Sequence, residues 1–257
     1  PEDQDQDALF NIRAADFVSI TGNFGVWAEP VDGLSVGLSA QLPATISDDQ
    51  AKLKTRLPSH YAFDNAKVEG DTLGVSVDLP WIIRGGLRYA VAGVFDVEVD
   101  VYSELWSSLQ EIVTDPQNIR VTGAPLVGDI VLGPLNVARY YKDIVGVSVG
   151  GSWWAVPDVL MIQAGFMYEQ GAVPDRTFSL FQLDSDKYAP TLGGQWKISS
   201  GLALDFAYSH IFHASREITQ SEVKQINPAF EEGATVVANG SYTAHHDMLG
   251  LGLRVGF

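Results

Sequence analysis

Long runs of strict alternation between apolar and polar or small residues constrain this chain more than any other feature. Phe95, Val97, Val99 and Val101 interleave with Asp96, Glu98, Asp100 and Tyr102. Leu34, Val36, Leu38, Ala40 and Leu42 interleave with Ser35, Gly37, Ser39 and Gln41. Leu202, Leu204, Phe206 and Tyr208 do the same with Ala203, Asp205, Ala207 and Ser209. At the carboxyl end Leu249, Leu251, Leu253, Val255 and Phe257 alternate with Gly250, Gly252, Arg254 and Gly256. A period of two places each set on its own face of a strand. Similar segments read at about 17–28, 82–91, 143–154, 159–170 and 187–198, which makes nine strands, and 68–79 is a tenth candidate.

A soluble sandwich would alternate too, so length and face chemistry decide between the two. These strands run roughly 10–13 residues, against a mode of about 5–6 in soluble sheets. Their second face is rich in Gly, Ser and other small residues, which suits a confined interior rather than bulk water. Short spacers such as Ala92-Gly93 and Ser199-Ser200-Gly201 alternate with long polar ones at about 43–67, 107–142, 171–186 and 214–241. That asymmetry belongs to outer-membrane barrels, whose short turns are periplasmic and long loops extracellular. Trp27, Tyr89, Trp106, Trp153, Trp154, Tyr168, Tyr188 and Trp196 sit near strand ends, where interfacial aromatic girdles are expected. No stretch approaches the ~18 consecutive apolar residues of a membrane helix. The fold expected is all-β: an antiparallel transmembrane β-barrel with about nine to ten strands in this chain.

Composition narrows the function classes. With 32 acidic and 16 basic residues the charge is −16, which repels a nucleic-acid backbone. The absence of Cys removes disulfide scaffolds, thiolate metal sites and cysteine nucleophiles. The acidic opening, residues 1–16, reads as an extracellular loop or tail ahead of barrel strands over 17–257.

Several ordered elements resemble the FadL-type outer-membrane transporters of long-chain fatty acids and aromatic hydrocarbons. Gly165-Phe166-Met167-Tyr168-Glu169-Gln170-Gly171-Ala172-Val173-Pro174-Asp175 is similar to a strand-to-loop motif of that family, followed by Leu183-Asp184-Ser185-Asp186-Lys187. Pro30-Val31-Asp32-Gly33-Leu34-Ser35 and Val99-Asp100-Val101-Tyr102-Ser103-Glu104-Leu105-Trp106-Ser107-Ser108 resemble two earlier elements. The resemblance implies a fourteen-stranded barrel in the bacterial outer membrane, of which this chain holds the last nine or so strands, with no plug-like segment before Phe17. It implies passive uptake of a hydrophobic small molecule, fatty acids foremost, without a cofactor, metal or catalytic residue. It also implies contact with membrane lipid and lipopolysaccharide, and with the barrel-assembly machinery through the terminal Leu253, Val255 and Phe257. With the carboxyl end periplasmic, strand parity makes the first strand run inwards from outside. A crossing at 68–79 would break that parity, so 68–91 reads as one element bent at Pro80.

Arg84, Arg88 and Arg254 share the polar phase of their strands, where a bidentate fork could hold a carboxylate. Tyr102 shares the polar phase of its own. An Arg on the lipid face near mid-bilayer would cost about 2–4 kcal/mol, which supports the inward assignment. These four are the expected lumen ligand residues; the alternative is that the arginines only neutralise the inward Asp96, Glu98, Asp100 and Asp205. Two alternatives stand beside transport. One is a structural barrel completed by another chain that supplies the missing strands. The other is a hydrolase using His210 or His213 beside Ser209 and Asp205, or His245 and His246 beside Asp247, although no Gly-x-Ser-x-Gly elbow occurs.

Overall fold

In the computed structural model, which describes residues 5, 7–124, 128–224 and 235–256, nine strands form one antiparallel sheet. They are β1 (Asn23–Val31), β2 (Leu34–Gln41), β3 (Ile82–Val91), β4 (Phe95–Glu104), β5 (Ile144–Val156), β6 (Leu160–Glu169), β7 (Lys187–Ser199), β8 (Leu202–His213) and β9 (His245–Val255). Each pairs with its neighbour in sequence, so the sheet is a simple meander. Among the described residues, β1 and β9 are edges with one paired side each. The turns are tight where alternation stops at Gly: Gly33 adopts φ +79°, and its amide donates to the Glu29 carboxylate at 2.8 Å. A bulge between Ala28 and Val31 extends β1 through residues that read as turn in the sequence.

Register fixes the faces. Val97, Val99 and Val101 of β4 pair with Gly151, Val149 and Val147 of β5, while Asp96, Glu98 and Asp100 pair with Ser152, Gly150 and Ser148. The apolar set is turned away from the protein: Leu251 of β9 is 82% exposed and Leu192 of β7 60%. Large aliphatic side chains laid bare over a whole sheet face are stable only against hydrocarbon. On that face Trp153 and Trp196 stand near the short-turn end, and Tyr168 and Tyr188 meet at the loop end, 5.2 Å between ring centroids. Three expected girdle residues lie elsewhere. Trp27 pairs with Gly37 on the concave side, Trp154 lies on that side with the Lys197 ammonium 4.6 Å from its ring, and Trp106 sits in a 3-10 turn above the sheet. Being near a strand end does not decide the phase.

The long spacers are less loop-like than their composition suggests. Above the barrel a second sheet runs in the order Leu9–Arg13, Ala44–Arg56, Thr72–Leu79, Glu111–Pro116, Leu135–Ala138. Its core is Ala51, Leu53, Leu73 and the fully buried Ile119. Two of its strands prolong β2 and β3 beyond Leu42-Pro43 and Pro80-Trp81, so Thr72–Val91 is one path interrupted at Pro80. The acidic opening holds a strand, since Leu9–Arg13 pairs with Lys52–Arg56. The segment expected to start the first barrel strand is instead diverted upwards. Asp16 accepts from the Val18 and Ser47 amides and the Ser19 hydroxyl, leaving β1 to begin at Asn23. Leu253 and Val255 lie on the outer face of β9 opposite Leu204 and Leu202, whereas Phe257 and residues 225–234 lie outside the described residues.

Val149→Arg, at mid-height on the outer face of β5, is expected to destabilise the protein in lipid vesicles by about 2–4 kcal/mol. Ser148→Ala on the opposite face should stay within about 0.5 kcal/mol. Urea titration in vesicles measures both, and equal effects would refute the face assignment.

Candidate functional site: a vestibule above a lumen trough

The concave face forms a trough of about 760 Å³ whose floor is small: Ser148 and Gly150 of β5, Gly165 of β6, Gly193 of β7, Ala207 of β8 and Gly250 of β9. Asp96, Glu98 and Asp100 of β4 form one wall. Ser152 donates its hydroxyl to Asp96, and the Asp100 carboxylate folds over Gly86, where a Cβ would come within 2.1 Å of it.

The four residues singled out in the sequence all project to this side, but three already have partners. Arg88 meets Asp96 at 3.4 Å. Arg254 donates to Asp205 at 2.8 Å near the inner end, and Gln195 donates to the same carboxylate at 2.9 Å. Tyr102 lies flat across Gly146, donates its hydroxyl to Glu169 two strands away, and rests 3.8 Å from the Met167 sulfur. Only glycine fits beneath it, because a Cβ at 146 would sit 2.1 Å from the phenol carbon. Arg84 sits in register between Ser39 and Tyr102 and makes no ion pair among the described residues. The fold therefore brings Arg84 and Tyr102 together and places Arg254 far from both.

At the loop end the same face rises into a second cavity of about 440 Å³, a vestibule between the ends of β4, β5 and β6 and the loop at 170–186. Trp106 donates its indole N–H to Glu104 at 2.6 Å and stands edge-on to Tyr141 at 5.9 Å. Ile144, Val173 and Leu183 supply the apolar wall, and Phe181 stands exposed at its rim. Burial holds the Tyr141 hydroxyl above the ordinary phenol range, so it stays a neutral donor. The loop is fixed by backbone capture. Asp184 accepts from the Ala172 and Val173 amides at 2.5 and 3.2 Å, Asp186 from the Gly171 amide and the Tyr168 hydroxyl, and Arg216 donates to the Val173 and Asp184 carbonyls. Lys187 bonds Glu169 and reaches Asp184 at 2.9 Å. Tyr102, Glu169 and Lys187 thus form a polar bridge at the boundary of vestibule and trough.

Sequence reasoning did not select Trp106, Tyr141, Glu169, Asp184 or Lys187 as site residues. The signal for most of them lay in the quoted elements 99–108, 165–175 and 183–187, which converge here. The histidine alternatives fare differently. His210 meets Asp247 at 2.7 Å, and Tyr208 donates to that carboxylate too, on the lipid-facing side. Ser209 points the other way, with its hydroxyl 3.4 Å from the Pro190 carbonyl, so no Ser-His-Asp line forms there. His213 and His246 meet at 3.1 Å on the concave side.

Residues 4–257 match the family model described as outer membrane protein transport protein (OMPP1/FadL/TodX). The chain belongs to that family. It is accordingly an integral protein of the bacterial outer membrane, and its nine-stranded sheet is barrel wall. A FadL homologue from Pseudomonas aeruginosa superposes with a TM-score of 0.68 at 15% identity, over 90% of this chain and 51% of that one. The toluene transporter TodX of Pseudomonas putida gives 0.51 at 17% identity, over 91% of this chain and 48% of that one. The chain thus spans about half the length of these FadL-type structures, and the likeness speaks for the fold. No curated protein sequence matches it.

Tyr102→Phe removes a hydrogen bond to a carboxylate and is expected to cost about 1.5–3 kcal/mol. Gly146→Val should disrupt the same bridge from below. Urea unfolding in vesicles measures both, and a Tyr102→Phe protein as stable as the parent would remove the bridge from the account.

Proposed function

We propose that this protein takes part in passive uptake of hydrophobic small molecules across the outer membrane. The observation that carries this reading is a vestibule stacked above a lumen trough on one sheet face, Ile144 above Ser148 on β5 and Glu169 above Met167 on β6, with the Tyr102–Glu169–Lys187 bridge between the two spaces. A ligand would leave the outer leaflet, shed water in the vestibule and move along the trough, driven by its own gradient. This path needs no catalytic group. Membership of a transport family supports a non-enzymatic role.

Long-chain fatty acids are the finer reading, and it rests on Arg84. Arg88 and Arg254 are committed to carboxylates of the wall, whereas Arg84 remains open to a ligand's carboxylate. Membrane lipid and lipopolysaccharide would meet the outer girdle at Tyr168 and Tyr188, and the assembly machinery would read the last strand through Leu253, Val255 and Phe257. A second reading, a barrel completed within a multichain complex, is favoured by the single-sided pairing of β1 and β9. Native mass of the purified barrel separates a stoichiometric second chain from further strands on the same polypeptide.

For the protein in nanodiscs, the expectation is saturable binding of both oleate and toluene. Arg84→Ala should weaken oleate about tenfold, the loss of one charge-assisted hydrogen bond, and leave toluene unchanged. An unchanged oleate affinity would end the fatty-acid reading, and failure of both ligands to bind would end the uptake reading.

A further inference from the structure

Four of the five histidines, His210, His213, His245 and His246, stand at the loop ends of β8 and β9, and the fifth, His60, caps the 3-10 turn at Tyr61–Phe63. Strand phase divides the four. His210 and His245 stack at 5.7 Å on the lipid-facing side, where His210 is held by Asp247. His213 and His246 are on the concave side. The His213 amide donates to the Ala244 carbonyl and Ile211 pairs with His246, so the two rings are diagonal neighbours across the strand pair. Nε2 of His213 lies 3.1 Å from Nδ1 of His246. Neither ring makes another hydrogen bond among the described residues, and neither lines the trough or the vestibule.

Two ring nitrogens at that separation can share a hydrogen or a metal ion. Bound to one ion at about 2.0–2.1 Å, two imidazole nitrogens lie about 2.9 Å apart for a right angle between the bonds and about 3.3 Å for a tetrahedral one. The pair falls between these limits as it stands. The Lys187 ammonium opposes a cation beside His213, and the Asp184 and Glu169 carboxylates offset it. Metal on Nε2 leaves the His213 ring proton on Nδ1, an atom closed to solvent and without a partner among the described residues. That cost falls on every ion alike and leaves bound only those with the greatest affinity for imidazole, copper(II) first among the divalent first-row ions.

We propose that His213 and His246 form a two-imidazole site for a late transition-metal ion, copper(II) foremost, which staples β8 to β9 at the loop end. On binding, the hydrogen between the rings moves to the far nitrogen of its own ring. Both near nitrogens then give their lone pairs to the ion, and water fills the remaining positions. Among the described residues β9 is paired on one side only, so the staple adds a cross-strand tie where the ladder is one-sided. The site is independent of the uptake reading.

The test titrates the untagged protein in lipid vesicles with copper(II), nickel(II) and zinc(II). Copper is expected to bind at one equivalent, about tenfold more tightly than zinc or nickel, with two imidazole nitrogens in its pulsed EPR spectrum. His246→Gln and His213→Gln should each weaken copper by about an order of magnitude, whereas His210→Gln on the lipid-facing side should leave it unchanged. Saturating copper should also raise the urea midpoint of the parent and not that of His246→Gln. The nitrogen count is read on the parent protein, so it does not depend on a variant folding. One coordinated imidazole or none would overturn the pair as the site. Copper held equally by the parent and both variants would be an adventitious ion only and would overturn it as well. Zinc or nickel bound as tightly as copper would overturn the assigned selectivity, and an unchanged urea midpoint would overturn the staple.

Discussion

Inside a bilayer no water is available to a bare peptide group, and each unsatisfied N–H or C=O costs several kcal/mol, on the order of 4–8 in the most apolar reference. The rest of this architecture follows from that constraint. It forces the spanning segments into one continuous ladder, which forces side chains to alternate between lipid and lumen. It also sets a rule for the edges. β1 and β9 both run from the loop end to the turn end, so antiparallel closure requires an odd number of crossings between them. A direct β1–β9 seam would be parallel, unlike every other pair in the sheet.

Within the lumen the polar side chains are organised by mutual neutralisation. Asp96 takes Arg88 and Ser152, Asp205 takes Arg254 and Gln195, and Glu169 takes Tyr102 and Lys187. The small residues of the floor make this reach possible: Tyr102 crosses a whole strand only because Gly146 has no side chain. Glycine on the concave face is therefore packing partner as much as spacer. The polar bridge separates an outer space with aromatic walls from an inner one with a glycine and serine floor.

How much of this was legible in the sequence follows from the range of the interactions. Strand phase is local, so Val97, Val99 and Val101 opposite Asp96, Glu98 and Asp100 could be assigned from spacing alone. The same held for the inward direction of Arg84, Arg88 and Arg254. That inward carboxylates could neutralise them was legible too, but which pairs with which was not, because Arg88–Asp96 and Arg254–Asp205 depend on register between strands. The outer sheet was missed for a related reason. Leu9–Arg13 is short and pairs with residues some forty positions on, and Glu111–Pro116 joins Thr72–Leu79 across two barrel strands. Trp27 and Trp154 show that an aromatic near a strand end does not announce its face. The vestibule gathers residues from four separated stretches, three of them readable as motifs and none as a cavity.

The joint between the two sheets has a structural consequence. Pro43 and Pro80 stand at the same height on adjoining strands, each without an amide hydrogen to give to the ladder, while the pairs below (Gln41 with Ile82) and above (Ala44 with Leu79) are intact. The flanking residues turn outwards instead: the Leu42 amide donates to the Gly22 carbonyl at 2.8 Å and the Trp81 carbonyl accepts from the Leu105 amide at 2.9 Å. The joint therefore exchanges ladder partners rather than losing them, and the register of β2 and β3 passes through it unbroken.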